Sequence, residues 1–161
     1  KVLDETGEEP FKNAIDVAAG TLHSLILTKD GKVYGMGNGA NYRLGINSVS
    51  QQNLPVEMVY SYNTVEIAAG ELHSVVLKGD GMTYSVGGSA NGQGGQNGTG
   101  DISTLWNMLD IVDDETWQRR KEIISIKAGA KHTVVLTEKG EILACRTKHI
   151  RTTFNRRYNS I

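Results

Sequence analysis

Residues 18–31 read Ala-Ala-Gly-Thr-Leu-His-Ser-Leu-Ile-Leu-Thr-Lys-Asp-Gly, and residues 68–81 read Ala-Ala-Gly-Glu-Leu-His-Ser-Val-Val-Leu-Lys-Gly-Asp-Gly. The likeness extends outward from this pair. Ile15 to Ile46 overlays Val65 to Gln96 without a gap, with 14 identities in 32 positions. A third copy follows 59 residues beyond the second, where Ala128, Gly129, His132, Leu136 and Gly140 occupy the positions of Ala69, Gly70, His73, Leu77 and Gly81. Val17, Ile67 and Ile126 keep one apolar position, and Ser24, Ser74 and Thr133 keep a hydroxyl beside each histidine. A fixed period of this size marks a repeat array.

Each copy has the same local grammar. A short β-branched run, such as Ile124-Ser125-Ile126, leads into an Ala-Gly pair. Then comes His23-Ser24-Leu25-Ile26-Leu27-Thr28, so nearly continuous in apolar residues that it predicts a strand buried on both faces. Asp30-Gly31 predicts a two-residue type I′ hairpin into a returning strand, Val33-Tyr34-Gly35-Met36. A glycine-rich turn from Gly37 to Gly45 closes the unit. Three or four short strands per repeat, with tight turns, read as propeller blades. One blade cannot bury both faces of its sheet, whereas stacked blades can.

Composition agrees. Glycine makes up 19 of 161 residues and proline only two, which suits many tight turns rather than a disordered linker. A net charge of −1 provides no global field toward nucleic acid or membrane. Cys145 is the only cysteine, so no intramolecular disulfide forms; a reducing, intracellular setting is the expectation. No apolar run nears the ~18 residues of a spanning helix, and the opening residues lack the pattern of a signal peptide. A start at Lys1 without Met reads as a piece of something longer.

The residues resemble the RCC1 repeat family, whose repeat runs Ala-Gly, two residues, His-(Ser/Thr), strand, Asp-Gly, strand, glycine turn and Asn-x-x-x-Leu-Gly. The first copy shows Ala19-Gly20, His23-Ser24, Asp30-Gly31 and Asn41-Tyr42-Arg43-Leu44-Gly45. The second shows Ala69-Gly70, His73-Ser74, Asp80-Gly81 and Asn91-Gly92-Gln93-Gly94-Gly95, and the third Ala128-Gly129, His132-Thr133 and Gly140. The resemblance implies an all-β RCC1-type β-propeller of four-stranded antiparallel blades, about three here of an expected seven. The family's Trp-Gly after the second strand is Met36-Gly37, Val86-Gly87 and Cys145-Arg146 here, and nothing after Ala144 resembles a blade. The organisation follows: 1–14 a lead-in or the end of a preceding blade, 15–64 repeat 1, 65–123 repeat 2 with an inserted rim loop at 97–122, 124–146 a partial repeat 3, and 147–161 a basic tail.

The repeated residues Gly20, His23, Gly31, Gly70, His73, Gly81, Gly129, His132 and Gly140 read as architecture. The histidines stand one per blade, without ligand-spaced acids or thiols, so each is expected to bond a backbone carbonyl rather than a metal. The glycines read as turn or close-packing positions. Gly35 to Gly39 and Gly92 to Gly95 lack the spacing of a dinucleotide loop and the Lys-(Ser/Thr) of a P-loop. Cys145, with His149 four residues on, reads as an ordinary thiol. No catalytic residue, cofactor or metal is expected.

Recognition falls to two other places. The 97–122 stretch reads either as an outer blade edge with a solvated loop or as a partner-binding rim loop, with Trp106, Trp117, Arg119 and Arg120 as anchors. The tail carries Arg146, Lys148, Arg151, Arg156 and Arg157 and no acid, a charge of +5 that suits an anionic surface; a disordered end or a divergent strand are the other readings. The sequence thus points to a non-catalytic protein-interaction scaffold whose partners are other protein subunits. The alternative that the resemblance brings is a guanine-nucleotide exchange factor for a small GTPase, although no residue here matches the family's wedge element. An enzyme with a glycine-loop cofactor site is the third reading.

Overall fold

The computed structural model describes residues 1–95, 99–108 and 123–145. These residues form three antiparallel sheets that follow one another along the chain. Blade 1 runs β1 (Ala14–Ala19), β2 (His23–Thr28), β3 (Val33–Gly37) and β4 (Gln52–Glu57), in that spatial order. Blade 2 repeats the order with β5 (Thr64–Ala69), β6 (His73–Lys78), β7 (Thr83–Gly87) and β8 (Ile102–Asn107). Blade 3 has β9 (Ile123–Ala128), β10 (Thr133–Thr137) and β11 (Ile142–Cys145) among the described residues. The all-β, blade-by-blade architecture is the one expected.

Registers repeat as well as strands. His23 pairs with Gly37 as His73 does with Gly87, and β1 slips at Ala14/Asp16 as β5 does at Thr64/Glu66. The β2–β3 turn differs from expectation. Leu27 pairs with Val33, Gly31 N–H donates to Thr28 O at 2.9 Å, and Thr28 N–H donates to Lys32 O at 2.9 Å. The loop is therefore three residues, Lys29-Asp30-Gly31. A type I′ turn needs positive φ at both central residues. Only Gly31 has it, at 77°, and Gly81 and Gly140 repeat the value at 76° and 77°. The left-handed residue ends the loop as a one-glycine bulge, a position a Cβ would strain.

The 97–122 stretch, read as a rim loop, contains β8. Blade 2's outer strand thus falls where blade 1 has β4, 50 residues earlier. The nine extra residues of this repeat lie after it: Met108 to Ile123 spans 14 intervening residues where Met58 to Thr64 spans five. Residues 109–122 and the tail from 146 onward lie outside the described residues.

The core is divided between two seams. Leu25, Leu27, Val33 and Met58 of blade 1 meet Ile67, Val76 and Val86 of blade 2. Val75, Leu77 and Met108 of blade 2 meet Ile123, Ile126, Val135 and Cys145 of blade 3. Strand β6, in the blade flanked by both seams, is buried at every residue, and β2 is buried at every residue except Ser24. Met58→Ala should lower unfolding free energy by about 2–5 kcal/mol, the usual cost of emptying a buried large side chain. Urea titration checks this; a loss near zero would mean the first seam is not a packed core.

Candidate functional site

The recurrent Ala-Gly/His-hydroxyl positions converge on the inner edges of the two seams. His23 Nε2 lies 2.9 Å from Ser74 Oγ of the next blade, and that hydroxyl donates to Arg43 O of blade 1 at 2.6 Å. The second seam repeats this. His73 Nε2 is 3.0 Å from Thr133 Oγ1, which donates to Gln93 O at 2.8 Å. A hydroxyl has one proton to give. Because it goes to the carbonyl, the ring must donate from Nε2, which fixes the neutral tautomer with Nδ1 bare. Both Nδ1 atoms are buried without a partner.

This corrects the expected partner. The rings reach a hydroxyl of the neighbouring blade, and the backbone carbonyl is one step further on. The hydroxyls of Ser74 and Thr133 are functional parts of the seam whose role the repeat alone did not disclose. Burial pulls the pKa of His23 down to about 4, with Arg43 and His73 nearby adding to the effect, and burial does the same to His73, aided by His132.

The Ala-Gly pairs explain themselves by distance. A Cβ on Gly20 would lie 2.5 Å from Gly70 O, and one on Gly70 2.6 Å from Gly129 O. Thr21 N–H reaches Gly70 O at 3.4 Å, and Glu71 N–H reaches Ala130 O at 3.3 Å. Backbone of the next blade and the ring of the blade's own histidine both crowd these two positions, so a side chain is excluded. These loops of the three blades line a shallow hollow of about 320 Å³. Gly35 and Gly94, from the glycine-rich stretches weighed as phosphate cradles, back onto Leu44 and Ile102 of their own blades.

Two side chains strengthen the seams. Arg43, buried, donates from Nη1 to Glu71 O at 3.1 Å and from Nε to Ala40 O at 2.8 Å. Glu66 accepts from Ser125 Oγ and from Ile126 N–H, each at 3.0 Å, and pairs with exposed Lys127. Of the expected anchors, Trp106 stands on β8 with half its surface exposed (50%). Trp117, Arg119, Arg120, Arg151, Arg156 and Arg157 lie outside the described residues. Cys145 is buried in the second seam. Among the described residues no three His, Cys, Asp or Glu side chains converge as a metal site would need, and no helix is long and apolar enough to cross a membrane.

Among the described residues each outermost blade packs against one other blade, and exposure differs accordingly. Val17 of β1 is 71% exposed, whereas its counterparts Ile67 and Ile126 are 5% and 0% exposed. His132 is exposed while His23 and His73 are buried.

Comparison with known proteins agrees with this geometry. The family described as Regulator of chromosome condensation (RCC1) repeat matches residues 30–77, and a second family of the same description matches residues 14–43. The fold is similar to that of human WBSCR16, with a TM-score of 0.72, 19% identity and coverage of 87% of this chain and 37% of that one. It is similar to yeast RCC1 (Prp20) in a structure bound to Kap60, with a TM-score of 0.69, 26% identity and coverage of 84% of this chain and 30% of that one. A structure of Prp20p from Saccharomyces cerevisiae, described with its binding properties to Gsp1p and histones, has a TM-score of 0.65, 25% identity and coverage of 84% and 32%. The chain spans about a third of the length of each of these. No curated protein sequence matches.

Two outcomes follow from the relay. Ser74→Ala leaves His23 Nε2–H and Arg43 O without their shared partner and should cost about 1–3 kcal/mol; Ser74→Thr, the residue of the second seam, should cost much less. Thermal unfolding distinguishes them. The pH dependence has a definite sign. In the unfolded chain both rings take a proton near pH 6.5, but in the fold only near 4. Between those values the unfolded state binds more protons, so stability falls as pH drops from about 6.5 toward 4, by at most ~2 kcal/mol per ring at pH 5. Urea midpoints at pH 7 and pH 5 should show this loss, with His73→Gln removing about half. A pH-independent midpoint would refute the neutral buried rings.

Proposed function

We propose that this chain, a member of the RCC1-repeat family, works as a non-catalytic scaffold that holds protein partners within a larger intracellular assembly. The carrying observation is where the repeated residues go. His23, His73, Ser74, Thr133, Gly20 and Gly70 are all committed to joining blade to blade. Among the described residues, the expected anchor that they leave for recognition is half-exposed Trp106 on an outer strand. Aromatic and arginine anchors on a rigid frame are the usual means of protein recognition. A cysteine count of one, Cys145, is in keeping with a reducing compartment.

The second reading, an exchange factor for a small GTPase, is favoured by one observation. Yeast Prp20p, 25% identical over this region, is described with binding properties to Gsp1p. This chain spans 32% of that protein, so the region in common is about a third of that frame.

One pair of measurements separates the readings. Proximity labelling in the cell should return a defined set of protein neighbours. Trp106→Ala should deplete that set while moving unfolding free energy by less than about 1 kcal/mol, as expected for an exposed side chain. Nucleotide release from a panel of small GTPases should be unchanged by the chain. Accelerated release would transfer the reading to the exchange factor, and a neighbour set indifferent to Trp106 would remove that residue from recognition.

A further inference from the structure

The chain has three Asn-Gly pairs, at 38–39, 91–92 and 97–98, and the last lies outside the described residues. In such a pair the side-chain amide can meet the next backbone nitrogen, because glycine has no Cβ to keep them apart. The fold treats the two described pairs differently. Asn38 Oδ1 accepts from Ala40 N–H at 2.8 Å. That bond closes over the peptide joining Asn38 to Gly39 and folds the amide carbon back toward Gly39 N. Among the described residues Gly39 N–H has no hydrogen-bond acceptor. Gly92 N–H, by contrast, is given to Ser89 O at 2.8 Å. The counterpart of Asn38 one repeat on is Gly88, so blade 2 does not share its chemistry.

We propose that Asn38 is a site of spontaneous covalent modification, deamidating through a cyclic imide formed with Gly39, while the fold protects Asn91. Gly39 N gives its proton to a base from solvent and attacks Asn38 Cγ. The Cγ–Nδ2 bond breaks, and the nitrogen takes up a proton and leaves as ammonia. Water then opens the imide at one of its two carbonyls, which leaves aspartate or isoaspartate at 38. The folded-back side chain supplies proximity, and Ala40 N–H points at the oxygen that gathers negative charge as the ring closes. Asn38 is half-buried, so solvent reaches the amide. Gly39 is fixed in place, since a Cβ there would collide with Ser50 O. Isoaspartate lengthens the main chain at the start of the turn that joins blade 1 to blade 2. That turn carries Arg43, whose carbonyl receives the Ser74 hydroxyl and whose Nη1 reaches Glu71 O, and Asn41, whose Nδ2 reaches Asp101. The modification therefore loosens the first seam.

Peptide mapping by mass spectrometry tests this on the full chain, incubated at mildly alkaline pH both folded and in urea. In urea, Asn38 and Asn91 should convert at similar rates. On folding, Asn91 should slow several-fold and Asn38 should not. The melting temperature of the folded sample should fall as isoaspartate accumulates at 38. Asn38→Ser keeps an acceptor for Ala40 N–H but has no carbonyl to attack, so its melting temperature should hold through the same incubation. A folded chain that keeps the Asn38 amide overturns the proposal, as does one in which Asn91 converts as fast as Asn38. Conversion at 38 with no fall in melting temperature overturns the link to the seam.

Discussion

Everything in this molecule depends on a hydroxyl held between two groups of the neighbouring blade. Ser74 and Thr133 each sit with a histidine ring on one side and a carbonyl on the other. The arrangement is buried, so leaving out any member strands polar atoms where water cannot reach. It also forces the ring to be neutral, since a protonated ring would carry a charge into a seam packed with Leu25 and Ile67, or with Val75 and Ile126. The glycines belong to the same constraint. They let the inner loops come close enough for the bond to span the seam, and a methyl group at Gly20 would push Gly70 away.

The apolar seams and the polar relay do different work. Leu25, Leu27 and Met58 against Ile67, Val76 and Val86 supply the gross driving force, which is indifferent to small rotations between blades. The relay is directional and sets the angle at which those surfaces meet. The second seam adds Glu66, whose carboxylate takes Ser125 and Ile126 N–H together. The first seam has no such clamp, because Asp16 accepts from its own neighbour Val17. Arg43 compensates there by reaching across to Glu71 O.

The fold was legible because the period was. Fourteen identities at a constant offset of 50 reveal stacked, equivalent units without any knowledge of their contacts. What was hidden follows from the same logic. Asp30-Gly31 fits a two-residue or a three-residue loop equally well, and only the pairing of Leu27 with Val33 decides. Strand β8 has no recurring letters to reveal it, since Ile102–Asn107 shares no residue with Gln52–Glu57 at the 50-residue offset. The signal that could have found it is Met58 with Met108, which recur at the 50-residue offset one residue past these strands and are both buried in the seams. The histidine's partner was visible as a persistent hydroxyl beside each ring. Its own ring, however, is not the one that hydroxyl serves, and repeats laid side by side on paper do not say which blade leans on which.

That offset between a ring and the hydroxyl it serves bears on how such chains arise. Each stretch from one Ala-Gly pair to the next carries a complete forward half and a complete backward half of the joint. Duplicating the DNA for about 50 residues therefore copies a matched plug and socket, and the newcomer fits between its parents with no compensating change. Lengthening or shortening the array asks nothing new of the residues at the junction. Drift is least tolerated at the atoms where one generation of the repeat must fasten to the next and at the left-handed glycine of each hairpin.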